Sequence, residues 1–399
     1  MINQIAIAII AAVIATPAFF LTLQLLLSLR PISAGDDNKG DVCPEDIAIL
    51  VPAHNEEANI LETLQSLGAQ IDRPDKIVVI ADNCSDKTEN IAAQFGAIVL
   101  KRQDSKRRGK GYALAFGIDY LRENPPNLVA IIDADCKLEP GSLRRIVRIA
   151  LATDRPVQAR YLLKNPVNAS PFARISEFAF LVKNFARPLG MKRLGLPTHL
   201  LGTGMMFHWK TIASAELASN EIVEDMKLGV DLVRSGIFPI YCPDAHVTSQ
   251  FPDYSGDARI QRRRWEHGHL GLIHSYAPGL LISGLRKLDY HRIGFAIDLM
   301  IPPLALFVTL QSLLFVLFFG LASASSVFVS GAIIIAVALL CLAAGLLLVW
   351  YRFASHFLPL TTLLRIPLYI AAKAPLYIGF LFNRETRWIR TGRARSGKK

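Results

Sequence analysis

Three long runs of this 399-residue sequence carry no charged residue: positions 5–29, 293–297 extended through 299–321, and 327–351, with Asp298 the single interruption. Each is long enough to cross about 30 Å of hydrocarbon as a helix, so the chain must divide between a bilayer and water. The first run is too long for the core of a cleaved leader and lacks a basic start. It reads as a retained transmembrane anchor over residues 1–30. A linker with Pro, Gly, Asp and Asn follows over 31–45. Arg30 places the end of the anchor in the cytosol under the positive-inside rule. Residues 288–399 form a membrane region with spans at about 293–321 and 327–351, joined by a short uncharged turn. Residues 353–382 are apolar but broken by Pro359, Arg365, Pro367, Lys373 and Pro375, so one or two interfacial or re-entrant helices are expected there. The basic tail after them favours an inside C-terminus, which requires an even number of spans between it and an inside soluble domain; a third full span is the alternative.

Between these runs, residues 46–287 have the composition of a water-soluble α/β domain. Residues 127–136, NLVAIIDADC, hold five apolar or small residues that read as a strand buried on both faces, ending at Asp133 and Asp135. Ligands of open α/β sheets sit beyond the carboxyl ends of parallel strands, where such an acidic pair can hold a hard divalent cation against a diphosphate. Residues 47–51, 77–80 and 98–100 read as three earlier strands. The first opens through AHNEE into a helix reaching 67, and the second through ADNCSD into a helix over 88–95. The third leads through a basic, glycine-punctuated loop into a helix over 112–122. Alternation at this spacing predicts a doubly wound, mostly parallel sheet. Residues 171–195 carry apolar residues at helical spacing with Arg174, Lys183, Arg187, Lys192 and Arg193 between them. They fit either a basic amphipathic helix on a membrane surface or a surface helix over the sheet. Gly202 to Phe207 reads as a turn entering a strand, and Val223-Glu224-Asp225 as the start of a helix.

The net charge of +11 is concentrated at 101–110, 259–264 and 384–399. No nucleic-acid signature accompanies it, so anionic headgroups and polyanionic small substrates are the expected partners. Cys43, Cys84, Cys136, Cys242 and Cys341 form no CxxC pair, which predicts free thiols in a reducing compartment, with Cys136 a buried filler. His267, His269 and His274 are not read as a metal site.

Taken in order, VPAHNEE, ADNCSD, GKGYAL, DAD, GTGMMF, VED and QRRRW resemble the motifs of membrane-integrated family 2 glycosyltransferases. That group includes the cellulose, hyaluronan and chitin-oligosaccharide synthases and the ceramide glucosyltransferases. The resemblance implies a GT-A-type sheet and an inverting, metal-dependent transfer from a UDP-sugar to a lipid or glycan acceptor. It implies a multi-pass inner-membrane protein with a cytoplasmic catalytic domain. Under it, Ala53, Glu56 and Asp82 hold the base and ribose, and Lys110 lies near the nucleotide. Asp135 coordinates Mg2+ or Mn2+ with Asp133 in support. Asp225 is the general base, with Glu224 as fallback, and Gln261, Arg264 and Trp265 clamp acceptor and diphosphate. The chain lacks the long C-terminal regulatory domain of cellulose synthases and has fewer predicted spans than polymer-extruding relatives, so the resemblance supports sugar transfer more firmly than extrusion. Two other readings are a polyprenyl-phosphate glycosyltransferase, against which QRRRW counts, and a non-catalytic membrane-tethered nucleotide-binding subunit.

Overall fold

The computed structural model describes residues 2–32, 46–219, 221–251 and 256–382; for residues 74, 256–261, 381 and 382 only the backbone is described. Cys43, most of the linker, the basic tail and the Gln261 side chain lie outside the described residues. The chain forms two compact units. One comprises residues 32–164 and 197–268, the other residues 1–31, 165–196 and 269–384.

The first unit is built on one eight-stranded sheet. Its strands are β1 (Ile47–Ala53), β2 (Ile77–Asp82), β3 (Ile98–Arg102), β4 (Leu128–Ile131), β5 (Lys137–Leu138), β6 (Val157–Lys164), β7 (Met205–His208) and β8 (Ile240–Gln250). Their order is β3-β2-β1-β4-β7-β6-β8-β5. The β3-β2-β1-β4 half is parallel, β7 runs antiparallel between β4 and β6, and β6 pairs β8 in parallel. β1 continues two residues past its expected end. Its pairing to β4 stops at Leu50↔Ile131, so Pro52 lies where that side of the strand is already an edge. The helix expected to open at AHNEE begins only at Ile60; residues before it form turns.

Helices of this unit are α2 (Ile60–Gly68), α3 (Thr88–Phe95), α4 (Lys110–Leu121), α5 (Ser142–Thr153), α8 (Trp209–Ala213) and α9 (Glu224–Arg234). α4 covers β1 and β2: Gly117 brings its backbone so close that an added Cβ would lie 3.0 Å from Ile80 Cδ1 and 3.1 Å from Leu50 Cδ2. Leu50, Val78, Ile80, Leu114, Ile118, Val129, Ile131 and Phe207 form one buried cluster on that face. Burying each such side chain contributes roughly 1.5–3 kcal/mol. This fixes the strands whose carboxyl ends carry the acidic residues.

The second unit is helical: α1 (Ile2–Ser28), α6 (Pro171–Leu181), α7 (Arg187–Arg193), α11 (Tyr290–Leu299), α12 (Leu304–Ala324), α13 (Val329–Phe353), α14 (Leu360–Leu363) and α15 (Ile366–Phe382). The long helix α10 (Gly256–Lys287) contains the boundary between the units, after Gly268. Among the described residues, three helices are long and apolar enough to cross a membrane: Ile2–Ser28, Leu304–Ala324 and Ser326–Phe353. The span expected at 293–321 starts later than its composition indicates. Pro302 and Pro303 break the run, leaving α11 as a separate short helix and α12 as the spanning one. α15, at 17 residues, falls short of the about 20 that a span needs.

Residues 171–193 differ from both expectations for an amphipathic surface helix. α6 and α7 are joined by a π-helical turn over Val182–Ala186, and from Leu181 to Met191 the segment is mostly buried within the helical unit. Arg187 is buried and paired with Asp298 of α11.

Candidate active site

The turns after β1 and β2 are laced together. Asn55 and Asn83 both take positive φ, 56° and 52°, which Asn tolerates better than most residues because its short side chain bonds locally. Asn55 Oδ1 accepts from the Ser85 amide at 2.7 Å, the Glu56 amide donates to Thr88 Oγ1 at 2.7 Å, and Cys84 Sγ donates to the Ala53 carbonyl at 3.5 Å. Ala53 and Glu56 are thus held beside the Asp82 turn. The Asp82 side chain is more committed than its sequence context implies. Its Oδ1 accepts from Arg102 Nη1 at 2.5 Å and from Asn83 Nδ2 at 2.9 Å. Burial pushes the carboxyl up, against the pull of the Arg102 guanidinium. Arg102 also donates to the Arg107 carbonyl at 2.6 Å, so this ion pair anchors the basic loop that leads into α4.

A second cluster forms where β4 ends and β7 begins. Lys110, first residue of α4, pairs with Asp133 and donates to the Gly202 carbonyl at 2.8 Å. The Asp133 amide donates to Thr203 Oγ1 at 3.1 Å. Burial works against the Lys110 ammonium, but the surrounding charges of Asp133, Glu224 and Asp225 outweigh it and raise its pKa. Lys110 therefore stays cationic. Gly202 has φ +88°, and a Cβ there would lie 3.1 Å from Asp225 Oδ2 and 3.4 Å from Lys110 Nζ. The Asp225 carboxylate, in the first turn of α9, thus lies against the Gly202 backbone beside Lys110. Gly202→Ala would add strain and crowd both groups. We expect it to lower kcat/KM by roughly tenfold or more and the melting temperature by only a few degrees, so that the folded variant can be assayed well below its unfolding, read by a transfer assay beside thermal unfolding.

Glu224 stands next to Asp225 in α9. Burial, reinforced by the Asp225 charge, raises its carboxyl to about 7. A raised carboxyl favours the fold most below the ordinary carboxylate range, and that contribution is lost as pH rises through about 7. Wild-type melting temperature should fall between mildly acidic and mildly alkaline pH, and Glu224→Gln should flatten the fall. A variant with the wild-type slope would contradict the assignment.

Asp135, two residues past Asp133, accepts from Ser249 Oγ of β8 at 3.0 Å, while its carbonyl accepts from the same hydroxyl at 2.8 Å. Ligand atoms of Asp133, Asp135 and Cys136 all lie within 4.8 Å of one another. Burial pushes the Cys136 thiol up to about 12, so it stays protonated. The donors left are carboxylate oxygens, which suit Mg2+ or Mn2+ rather than a thiophilic ion.

The structure therefore joins Asp133, Lys110, Gly202 and Asp225 directly, with Glu224 next to Asp225 in α9 and Asp135 on the same acidic turn. Asp82 is separate, in its own ion pair, but at the same end of the sheet. β1 lies between β2 and β4, which sets their ends about 10 Å apart. Arg264 and Trp265 lie in α10, four and three residues before Gly268. A Cβ on Gly268 would approach Val223 Cγ1 to 2.8 Å, so that face of α10 packs beside the residue preceding Glu224. Sequence reasoning missed Gln158, Arg102 and Ser249. Gln158 is fully buried in β6; its Nε2 donates to the Thr203 and Ala159 carbonyls, both at 2.8 Å, and its Oε1 accepts from the Leu201 amide at 2.8 Å. It holds the Gly202 turn in place.

The family described as glycosyltransferase like family 2 matches residues 44–268, more than half of the chain. The chain belongs to that family. Its sheet and flanking helices are of the GT-A type. MJ1222, an uncharacterized protein of Methanocaldococcus jannaschii, is 33% identical over 141 residues, 35% of this chain and 56% of its own length. The low-salt glycan biosynthesis hexosyltransferase Agl6 of Haloferax volcanii is 30% identical over 250 residues, 61% of this chain and 56% of its own length. The chain thus spans little more than half the length of these relatives. Among solved structures, the mannosyltransferase PcManGT of Pyrobaculum calidifontis, in complex with GDP-Man and Mn2+, superposes with a TM-score of 0.53. It covers 96% of this chain and 100% of its own, at 18% identity.

Proposed function

We propose that this protein is a membrane-embedded, inverting, metal-dependent glycosyltransferase that moves a sugar from a UDP-sugar to a lipid or glycan acceptor at the cytoplasmic face of the cell membrane. The observation that carries the reading is the convergence of Asp225, Lys110 and the Asp133 turn on the Gly202 backbone. The complex of the Pyrobaculum enzyme with a nucleotide sugar and Mn2+ is consistent with it.

In this reading Asp225 accepts the proton of the acceptor hydroxyl as its oxygen bonds to the anomeric carbon, and the bond from that carbon to the diphosphate breaks on the opposite side. The electron pair leaves with UDP. Lys110 contributes a fixed positive charge beside the departing diphosphate. Asp135, supported by Asp133, would hold Mg2+ or Mn2+, which when bound neutralises phosphate charge. Ala53, Glu56 and the Asp82 turn would receive the base and ribose. Gln261, Arg264 and Trp265 of α10 would bind phosphate and a sugar face. The Arg30 end of α1 and the basic residues after α13 favour placing the sheet unit on the cytoplasmic side.

The test is transfer of radiolabel from UDP-sugars in washed membranes. Label should enter an extractable product with Mn2+ or Mg2+, fall to background after chelation, and return when either ion is restored. Full transfer in the chelated membranes would contradict the metal assignment.

A further inference from the structure

The helical unit holds a partly open cleft of about 310 Å³, inside the range of about 300–1,000 Å³ common for small-molecule sites. Its walls come from α6, α12, α13, α14 and α15 and include Phe178, Leu304, Val308, Leu346, Trp350 and Tyr369. Every lining residue is apolar or aromatic, and the two polar ring atoms are engaged. Trp350 Nε1 donates to the Leu358 carbonyl at 2.8 Å, and Tyr369 Oη bonds Ser176 Oγ at 3.1 Å. A ligand in the cleft would meet hydrocarbon alone.

Position in the span narrows what that ligand is. α12 and α13 form a hairpin turning at Ser325, and the cleft is lined by residues 304–308 of one and 343–350 of the other. It therefore sits at the open end of the hairpin, away from the turn, near the level where a spanning pair meets headgroups. The cationic side chains are gathered at that end. Arg365 immediately precedes α15, and Tyr369 and Lys373 follow it at four-residue intervals on one stripe of that helix, with Lys373 Nζ 5.2 Å from the Tyr369 ring centroid and Arg365 exposed. Arg352 ends α13. The sequence between positions 299 and 384 holds no acidic residue, so this stretch of chain is itself purely cationic.

We propose that this cleft binds one acyl chain of an anionic phospholipid, whose phosphate is held by Arg365 and Lys373. The apolar walls take the tail, and the basic stripe selects an anionic headgroup over a zwitterionic one. The site is independent of sugar transfer, so it can be tested without a donor or an acceptor.

The full-length protein would be placed in nanodiscs containing phosphatidylcholine and phosphatidylglycerol, released in the mass spectrometer, and its retained lipid weighed. Wild type should keep one phosphatidylglycerol in preference to phosphatidylcholine. Arg365→Gln and Lys373→Gln should each cut that preference about fivefold. Ala305→Phe, which fills the cleft from α12, should keep no lipid; Ala179→Phe does the same from α6 should the first variant fail to fold. Equal retention of both lipids would overturn the proposal. So would wild-type retention in a folded cleft-filling variant, or displacement of the phospholipid by added polyprenyl phosphate.

Discussion

Asp225→Asn should lower kcat for sugar transfer by about 10²–10⁴-fold, the range expected when a positioned general base is lost, while leaving UDP affinity within about threefold. The two readouts separate because, in the proposed reading, Asp225 serves the acceptor side of the chemistry, whereas the β1 and β2 turns and the acidic turn after β4 would hold the nucleotide. The substitution is nearly isosteric, so the contact with Gly202 and the start of α9 are preserved. Glu224 is the neighbour able to substitute for it. Its carboxyl, raised to about 7, is partly protonated at neutral pH and becomes a better acceptor as pH rises. Residual activity of Asp225→Asn that grows above neutrality and disappears in the double variant with Glu224→Gln would identify Glu224 as the backup. Wild-type turnover in Asp225→Asn would remove Asp225 from the base role.

Asp298→Ala should destabilise the helical unit by about 3–5 kcal/mol, enough to lower the melting temperature by several degrees. Asp298 is 2% exposed, and its Oδ1 accepts from Gln24 Nε2 of α1 at 2.8 Å and from Arg187 Nη2 of α7 at 3.0 Å. α1 and α7 touch backbone to backbone here, since a Cβ on Gly190 would lie 2.4 Å from the Gln24 carbonyl oxygen. Removing the carboxylate leaves the Arg187 charge buried without its counter-charge. Replacing both partners by apolar residues, Asp298→Leu with Arg187→Met, should recover most of the loss, because a buried pair contributes little net stability over a well-packed apolar substitute. A single variant as stable as wild type in detergent would mean that this pair does not hold α1, α7 and α11 together.

The parallel half of the sheet could be read from sequence because β1, β2 and β4 are short, continuous apolar runs that end in polar turns. The other half could not. β6 mixes Gln158 and Arg160 with apolar residues, and β8 carries Pro243 and Asp244 in a bulge opposite the Ala159/Arg160 step, which hides its alternation. The acidic residues were legible by their positions at strand ends. Gln158, Ser249 and Arg102 were not, since each acts through a partner brought near only by folding. Arg187 misled for the same reason. On its own helix it looks like a solvated basic residue, and its partner Asp298 lies 111 positions away inside an otherwise apolar run. Pro302 and Pro303 were in plain view, but hydropathy alone does not register that two prolines end one helix and start the next.

The central claim is that the acidic turn after β4 holds a divalent cation together with a nucleoside diphosphate, and Mn2+ electron paramagnetic resonance of the purified protein measures it most directly. With UDP present, wild type and Asp225→Asn should both deplete the free Mn2+ signal, and Asp135→Asn should leave it undiminished. Depletion by Asp135→Asn equal to that of wild type would contradict the account.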